Sequence, residues 1–245
     1  MAKLSKAEIK KHNQILDLIH SDKPLSFDEK WDILENYNEG AEHVNSLAGA
    51  FFTPVLYSRD FSLEVFGDTV IDLCAGLGSL SFFVMNKYNP DEIPKQLVCV
   101  EINHDYAEIG KRIVPEADWI VMDALQFSTE TLFEQCISNP PYGKIKTSDV
   151  QLEYTGSEFE YKIISKASTI AQYGTFILPQ RSAGFVYSGR RFYERDESNK
   201  YKKFNKETGI VLNPGIGIDG AIYREAWKGT TITTEVACAN FSSDE

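Results

Sequence analysis

The residues with the clearest chemical potential are Asn139-Pro140-Pro141-Tyr142, which follow a β-rich run. The side-chain oxygen of Asn139 and the main-chain carbonyl of Pro140 can both accept hydrogen bonds from one planar amino group. The prolines stiffen the loop and hold these acceptors in place, while Tyr142 offers a flat face for stacking a conjugated group. We therefore predict that Asn139, Pro140, Pro141 and Tyr142 are catalytic and direct an amine at an electrophilic methyl. The alternative is a rigid turn that closes a strand.

A second candidate site begins at Asp72-Leu73-Cys74-Ala75-Gly76-Leu77-Gly78, between a predicted strand and a predicted helix. Glycines in such a turn let the backbone approach a ligand closely. The next strand ends at Glu101, where a carboxylate can accept both hydroxyls of a ribose. The strand after it ends at Asp123, which can accept from an adenine amine. Together these positions predict an adenosine pocket, although each acid alone could simply cap a helix.

These positions need a parallel sheet to bring them together. From Thr69 onward, short β-rich runs alternate with helical patterns, and this alternation predicts an α/β fold with a mostly parallel sheet. Helices are predicted near 79–88, 104–112 and 158–171. The last run has no helix after it, so we expect an antiparallel strand at the sheet edge. The predicted strands are TVIDLC, QLVCVEI, DWIVM, EQCIS, GTFILP and TTITTEVACANF.

The first fifty residues read as a helical N-terminal segment. Ser5 and Ser26 each open a Ser-x-x-Glu capping box before an amphipathic run. A third helix is predicted over residues 41–50. A fourth begins at Pro54 and ends at Gly67, since proline favours the first turn of a helix and glycine its end.

Charge restricts the partners. The 25 Lys and Arg residues against 36 Asp and Glu residues give a net charge of −11. A protein this acidic is not expected to bind polyanions such as DNA or anionic lipid over its whole surface. Residues 180–206 reverse this sign locally, with eight basic and three acidic residues interleaved with aromatics. This segment could contact nucleic acid, or it could be a solvated loop whose aromatics pack inward. The predicted contacts are Arg181, Arg190, Arg191, Lys202 and Lys203.

Cysteine usage and hydropathy give the cellular setting. The four cysteines form no CxxC pair, so neither a metal site nor a disulfide framework is predicted. No apolar stretch approaches the roughly 20 residues that span a bilayer, and the polar start does not resemble a signal peptide. We expect a cytoplasmic protein that does not contact membranes.

The order of these motifs resembles the class I S-adenosylmethionine-dependent methyltransferases, specifically those that methylate the N6 amine of adenine in DNA. DLCAGLG, Glu101, Asp123 and NPPY match the family's pattern in order, although the family's phenylalanine is Cys74 here. Upstream, Phe51-Phe52-Thr53-Pro54 is similar to the family motif that precedes the others in gamma-type enzymes and type I restriction-modification subunits. The resemblance covers residues 51–179.

This resemblance implies a Rossmann-like, seven-stranded, mostly parallel sheet and the cofactor S-adenosylmethionine. Residues 51–245 would form the catalytic domain, and Phe52 to Pro54 would cover the methionine end of the cofactor. DNA would be the target, its adenine flipped out of the duplex. The implied cofactor-binding residues are Phe52, Thr53, Pro54, Asp72, Cys74, Ala75, Gly76, Gly78, Glu101, Ile102, Asp123, Ala124 and Asn139.

Recognition of a target sequence is left open. Gamma-type enzymes usually carry a large recognition domain after the catalytic part, whereas only 66 residues follow Pro179 here. Residues 180–228 could be a small target-contact insertion, specificity could be low, or a partner subunit or second copy could read the sequence. Two other functions also remain: N-methylation of RNA or of a protein glutamine, and a methyltransferase fold that serves only as a binding subunit.

Overall fold

The structure is a computed structural model that describes residues 6–37 and 51–242. The capping box at Ser5 and the helix predicted over residues 41–50 lie outside these ranges. The helices are α1 (Lys6–Ile19), α2 (Phe27–Asn36), α3 (Val55–Phe61), α4 (Ser79–Met85), α5 (His104–Ile113), α6 (Phe159–Ala167) and α7 (Asn199–Thr208). The strands are β1 (Thr69–Leu73), β2 (Gln96–Glu101), β3 (Asp118–Val121), β4 (Phe133–Ser138), β5 (Ala171–Pro179), β6 (Phe185–Val186), β7 (Glu194–Arg195) and β8 (Thr234–Asn240).

Six strands form the central sheet in the order β3-β2-β1-β4-β5-β8. Strands β1 to β5 run parallel, and β8 pairs antiparallel with β5. The α/β class, the mostly parallel sheet and the antiparallel last strand are thus confirmed. Strands β6 and β7 form a separate hairpin.

The expectation of a seventh strand is wrong for the described residues, whose central sheet has six. The outer edge of β8 does meet one further residue, Asn213, which exchanges two backbone hydrogen bonds with Cys238. Pairing stops there because the chain turns at once: the N–H of Gly217 donates to the Pro214 carbonyl, and Gly215 and Gly217 have φ of 59° and 82°. This left-handed backbone cannot continue a strand.

Helices cover both faces of the sheet, and alternate residues of β1 enter two cores. Val70 belongs to the core that also contains Phe82 of α4 and Ile33 of α2. Ile71 joins the opposite core with Ile164 of α6. Strands buried on both faces read as continuous apolar runs, which is why the sequence predicted them. No helix of the described residues is long and apolar enough to span a membrane.

Candidate functional site

The candidate site lies along the carboxyl edge of the sheet. Strands β1 to β4 run in the same direction, so the turns that follow Leu73, Glu101, Val121 and Ser138 share one edge. Ligands of open α/β sheets bind at this edge. The structure therefore brings the predicted adenosine residues and the NPPY loop to one side of the molecule.

The turn after β1 needs left-handed backbone at three positions. Cys74, Gly76 and Gly78 have φ of 61°, 58° and 81°. A Cβ on Gly76 would lie 3.2 Å from the ring of Phe52, and one on Gly78 would lie 3.1 Å from the ring of Trp119. Glycine at these positions lets two aromatic rings pack directly on the turn. Cys74 is half-buried and adopts a conformation that few side chains favour.

Glu101 fastens this turn to the end of β2. It is 7% exposed, and its two carboxylate oxygens accept from the backbone N–H groups of Gly76 and Asn103, each at 2.8 Å. Burial raises the pKa of Glu101. Each oxygen keeps further acceptor capacity, and the neighbouring Ile102 exposes 57% of its surface. A buried acceptor thus lies beside an apolar side chain.

Asp123 follows the end of β3 by two residues and is half-buried. Its Oδ1 accepts from the N–H of Leu125 at 2.9 Å, capping a short 3-10 helix that begins at Ala124. Its Oδ2 accepts from the hydroxyl of Ser148 at 2.6 Å. Ser148 lies in the polar loop after Tyr142, and sequence reasoning did not assign it to the site. The loop therefore lies against the predicted adenine end.

Asp72 is the most deeply buried acid of the site, at 1% exposure. Its Oδ2 accepts from the hydroxyl of Ser81 at 2.7 Å. Its Oδ1 and the hydroxyl of Ser79 have no hydrogen-bond partner among the described residues. Burial raises the pKa of Asp72 from 3.8 to about 7. An unused acceptor and an unused donor are thus buried beside the turn.

Asn139 links two motifs that are 86 residues apart. Its Nδ2 donates to the hydroxyl of Thr53 at 2.9 Å and to the carbonyl of Phe51 at 3.0 Å. Its Oδ1 accepts from the hydroxyl of Tyr142 at 2.6 Å. The carbonyl of Phe51 was not among the predicted site groups, because only a tertiary contact reveals it. Both amide hydrogens of Asn139 are used, and its oxygen is turned away from Thr53.

Tyr142 is half-buried, and burial raises its pKa well above the usual range. Its ring centroid lies 6.4 Å from that of Phe51 at an interplanar angle of 43°. The hydroxyl occupies one of the two lone pairs of Asn139 Oδ1. The second lone pair remains available for an incoming donor.

Comparison with solved structures finds this architecture in methyltransferases. A candidate class I S-adenosylmethionine-dependent methyltransferase from Listeria monocytogenes gives a TM-score of 0.58 at 12% identity, covering 99% of this chain and 83% of that one. A type I restriction-modification methyltransferase subunit from Streptococcus thermophilus gives 0.57 at 15% identity, covering 88% of this chain and 50% of that one. A candidate RNA methyltransferase from Pyrococcus horikoshii gives 0.50 at 15% identity, covering 95% and 98%.

The chain has the class I methyltransferase fold. The resemblance inferred from the motifs is confirmed at this level. No family profile matches the sequence, and no curated protein is significantly similar to it. The chain spans about half the length of the Streptococcus subunit.

Within this class I methyltransferase fold, a buried acid that the sequence did not reveal supports the NPPY loop. Glu160, on α6, is 3% exposed. One of its oxygens accepts from the N–H of Gly143 at 2.8 Å, and the other accepts from the hydroxyl of Ser182 at 2.9 Å. Burial raises the pKa of Glu160. The loop after Tyr142 is thereby joined to the segment that follows β5.

The basic segment divides into two parts. In α7 two of the four lysines have acidic partners: Lys200 pairs with Glu158 at 2.7 Å and Lys203 with Glu207 at 3.6 Å. The aromatic residues there are buried, with Phe204 0% exposed. For α7, the structure therefore fits the alternative of a solvated segment whose aromatic residues pack inward. Lys202 and Arg181 remain exposed.

The tip of the β6–β7 hairpin is different. Arg190 and Arg191 are exposed, Phe192 is 73% exposed and Tyr193 is 43% exposed. The guanidinium of Arg191 lies 5.2 Å from the ring centroid of Phe192. Two cations and two accessible rings thus lie together on an otherwise acidic protein. No group of three or more His, Cys, Asp or Glu residues in the described ranges could hold a metal ion.

Proposed function

We propose that this chain transfers a methyl group from S-adenosylmethionine to the N6 amine of adenine in DNA. The observation that carries the proposal is the orientation of Asn139, whose amide hydrogens bind Thr53 and the Phe51 carbonyl. Its oxygen and the adjacent Pro140 carbonyl are then the acceptors that a planar amine requires. Similarity to a type I modification subunit supports DNA as the target.

The residues at the edge of the sheet fit the cofactor. Glu101 would accept the ribose hydroxyls, because it is a buried carboxylate with spare acceptor capacity. Asp123 would accept the adenine amine after exchanging its bond with Ser148, and Ile102 would pack on the base. The unpartnered Oδ1 of Asp72 suits a positively charged amino group. The backbone from Cys74 to Gly78, Ala124, and residues 52–54 complete this proposed pocket.

S-adenosylmethionine supplies an electrophilic sulfonium methyl when bound. Asn139 Oδ1 and the Pro140 carbonyl would hold the two amine hydrogens, which directs the nitrogen lone pair at that methyl. The methyl group would pass to the amine nitrogen as its bond to sulfur breaks, and the amine would then lose a proton to water. In-line placement supplies most of the acceleration. Tyr142 would stack on the flipped base.

Target contact would come from residues 180–228, which follow β5 at the catalytic edge. Within them we assign the contact to the hairpin tip around Arg190 and Arg191 rather than to α7, because Lys200 and Lys203 already have acidic partners. A phosphate backbone suits the exposed arginines, and bases can stack on Phe192. A partner subunit or a second copy would supply the remaining sequence recognition, as in a restriction-modification system in the cytoplasm.

The test is labelled methyl transfer from S-adenosylmethionine to double-stranded DNA, to RNA and to protein, each digested and analysed for the modified unit. The proposal expects label in DNA as N6-methyladenine. Label confined to RNA would favour the function named for the Pyrococcus neighbour. Label in protein glutamine would identify the chain as a protein-glutamine methyltransferase. Cofactor binding without transfer to any acceptor would indicate a binding subunit.

A further inference from the structure

An asparagine amide can lie in two orientations that differ by a half-turn and exchange its oxygen with its NH2 group. Only one orientation suits Asn139 as an acceptor for an amine. In the other, NH2 would face NH2, and two donors repel each other. The neighbours of Asn139 therefore decide whether this side chain can work.

Two of these neighbours lie in the FFTP motif. The carbonyl of Phe51 can only accept, so it fixes the nitrogen of Asn139 on its own side, at 3.0 Å. The hydroxyl of Thr53 lies 2.9 Å from the same nitrogen and accepts its second hydrogen. Thr53 is 5% exposed, and Val55 and Tyr57 of the following helix α3 are also buried. Both acceptors are thus held in a rigid frame.

The third neighbour reinforces the same orientation. The hydroxyl of Tyr142 donates to Oδ1 of Asn139 at 2.6 Å, which an inverted amide could not accept. A hydroxyl can donate or accept, so it adds a hydrogen bond to the orientation that the acceptor-only carbonyl of Phe51 sets.

We propose that Thr53 is a positioning residue: by accepting the second amide hydrogen, it holds Asn139 in the orientation that the Phe51 carbonyl sets, with Oδ1 turned toward the target amine. This inference rests on the proposed function and deepens it. FFTP and NPPY then act as one unit, and Thr53 positions Asn139 in addition to lining the proposed cofactor pocket. It also explains the asparagine, because an aspartate would have no hydrogen for Phe51 and would oppose a charged oxygen to its carbonyl.

The kinetic test compares Thr53→Val with Thr53→Ser. Valine keeps the shape and loses the hydroxyl, so kcat at saturating cofactor should fall by about 10- to 100-fold, a larger change than any rise in the cofactor Kd. Serine should restore most of kcat. Thr175→Val is the matched control, since Thr175 is 1% exposed and its hydroxyl accepts from Gln135 within the sheet. A raised cofactor Kd with unchanged kcat would overturn the inference.

A second measurement needs no catalysis. The side-chain NH2 of Asn139 is identified in a 1H–15N spectrum by its loss in Asn139→Asp, and its exchange with water is measured. We expect slow exchange in the wild type and in Thr53→Ser, and faster exchange in Thr53→Val. Exchange as fast as that of an exposed asparagine in the wild type would overturn the inference without any variant. If the side-chain NH2 of Asn139 exchanged slowly but the protein methylated no acceptor, the proposed function would be wrong, whereas the fixed orientation of Asn139 would still hold.

Discussion

Replacing the buried acid Asp72 with asparagine should change how stability depends on pH. Asp72 is 1% exposed, and burial raises its pKa from 3.8 to about 7. Between these two values the folded protein binds more protons at this site than the unfolded chain does. The free energy of unfolding therefore falls as pH rises from about 4 to 7. The asparagine of the variant would carry no charge and contribute no such slope.

The magnitude follows from the distance between the two pKa values. Each pH unit in that window corresponds to about 1.36 kcal/mol, so ionising Asp72 destabilises the fold by about 4 kcal/mol. This is a large share of the roughly 5–15 kcal/mol that stabilises a typical domain. Asp72→Asn should therefore gain stability relative to the wild type as pH rises, and the gain should level off above pH 7.

Urea denaturation at intervals from pH 4 to pH 8 measures this difference. Subtracting the wild-type curve from the variant curve removes the contributions of other titrating groups. Asp91→Asn, at an exposed position, controls for the change in net charge. Parallel curves for the wild type and Asp72→Asn would show that Asp72 ionises normally in the folded state, and would refute the reasoning from burial.

Three further predictions concern the proposed site. Glu101→Ala should weaken S-adenosylmethionine binding by roughly 1.5–3 kcal/mol for each ribose hydrogen bond removed; unchanged affinity in calorimetry would remove Glu101 from the pocket. Substituting Arg190 and Arg191 with alanine should flatten the salt dependence of DNA binding by about 0.9 for each phosphate that the protein no longer neutralises, whereas an unaltered slope would return the hairpin tip to an ordinary solvated loop. Tyr142→Ala should weaken DNA binding and turnover together, because stacking contributes about 1–3 kcal/mol per base; wild-type affinity in a fluorescence titration would argue against stacking.

Much of the fold could be predicted because its signals are local. Leu97 to Val100 of β2 are all buried, so the strand appears as an uninterrupted apolar run. The family resemblance implies a seventh strand, and the turn at Pro214 to Gly217 prevents it. The proline and glycines of that turn are evident in the sequence, but the pairing of the preceding Asn213 with Cys238 of β8 could not be predicted from it.

The position of the candidate site was predictable where a motif follows a strand, and unpredictable where a contact depends on the path of a loop. The place of Asn139 directly after β4 could be predicted from the sequence, whereas its catalytic role stays a prediction. Ser148 and Glu160 could not, because a serine in a polar loop and an acid in the first turn of a helix are common at any surface. The pairing of Lys200 with Glu158, 42 positions away, depends likewise on tertiary structure.

The central claim is that Asn139 directs an adenine amine at the cofactor methyl, and the most direct measurement is the modified nucleoside formed in a single turnover on double-stranded DNA. The wild type should yield N6-methyladenine. Asn139→Ala should bind cofactor and DNA as the wild type does, yet react more slowly by about 10²- to 10³-fold, as expected for losing one preorganised polar group. Transfer by Asn139→Ala at the wild-type rate, or 5-methylcytosine as the product, would contradict the claim.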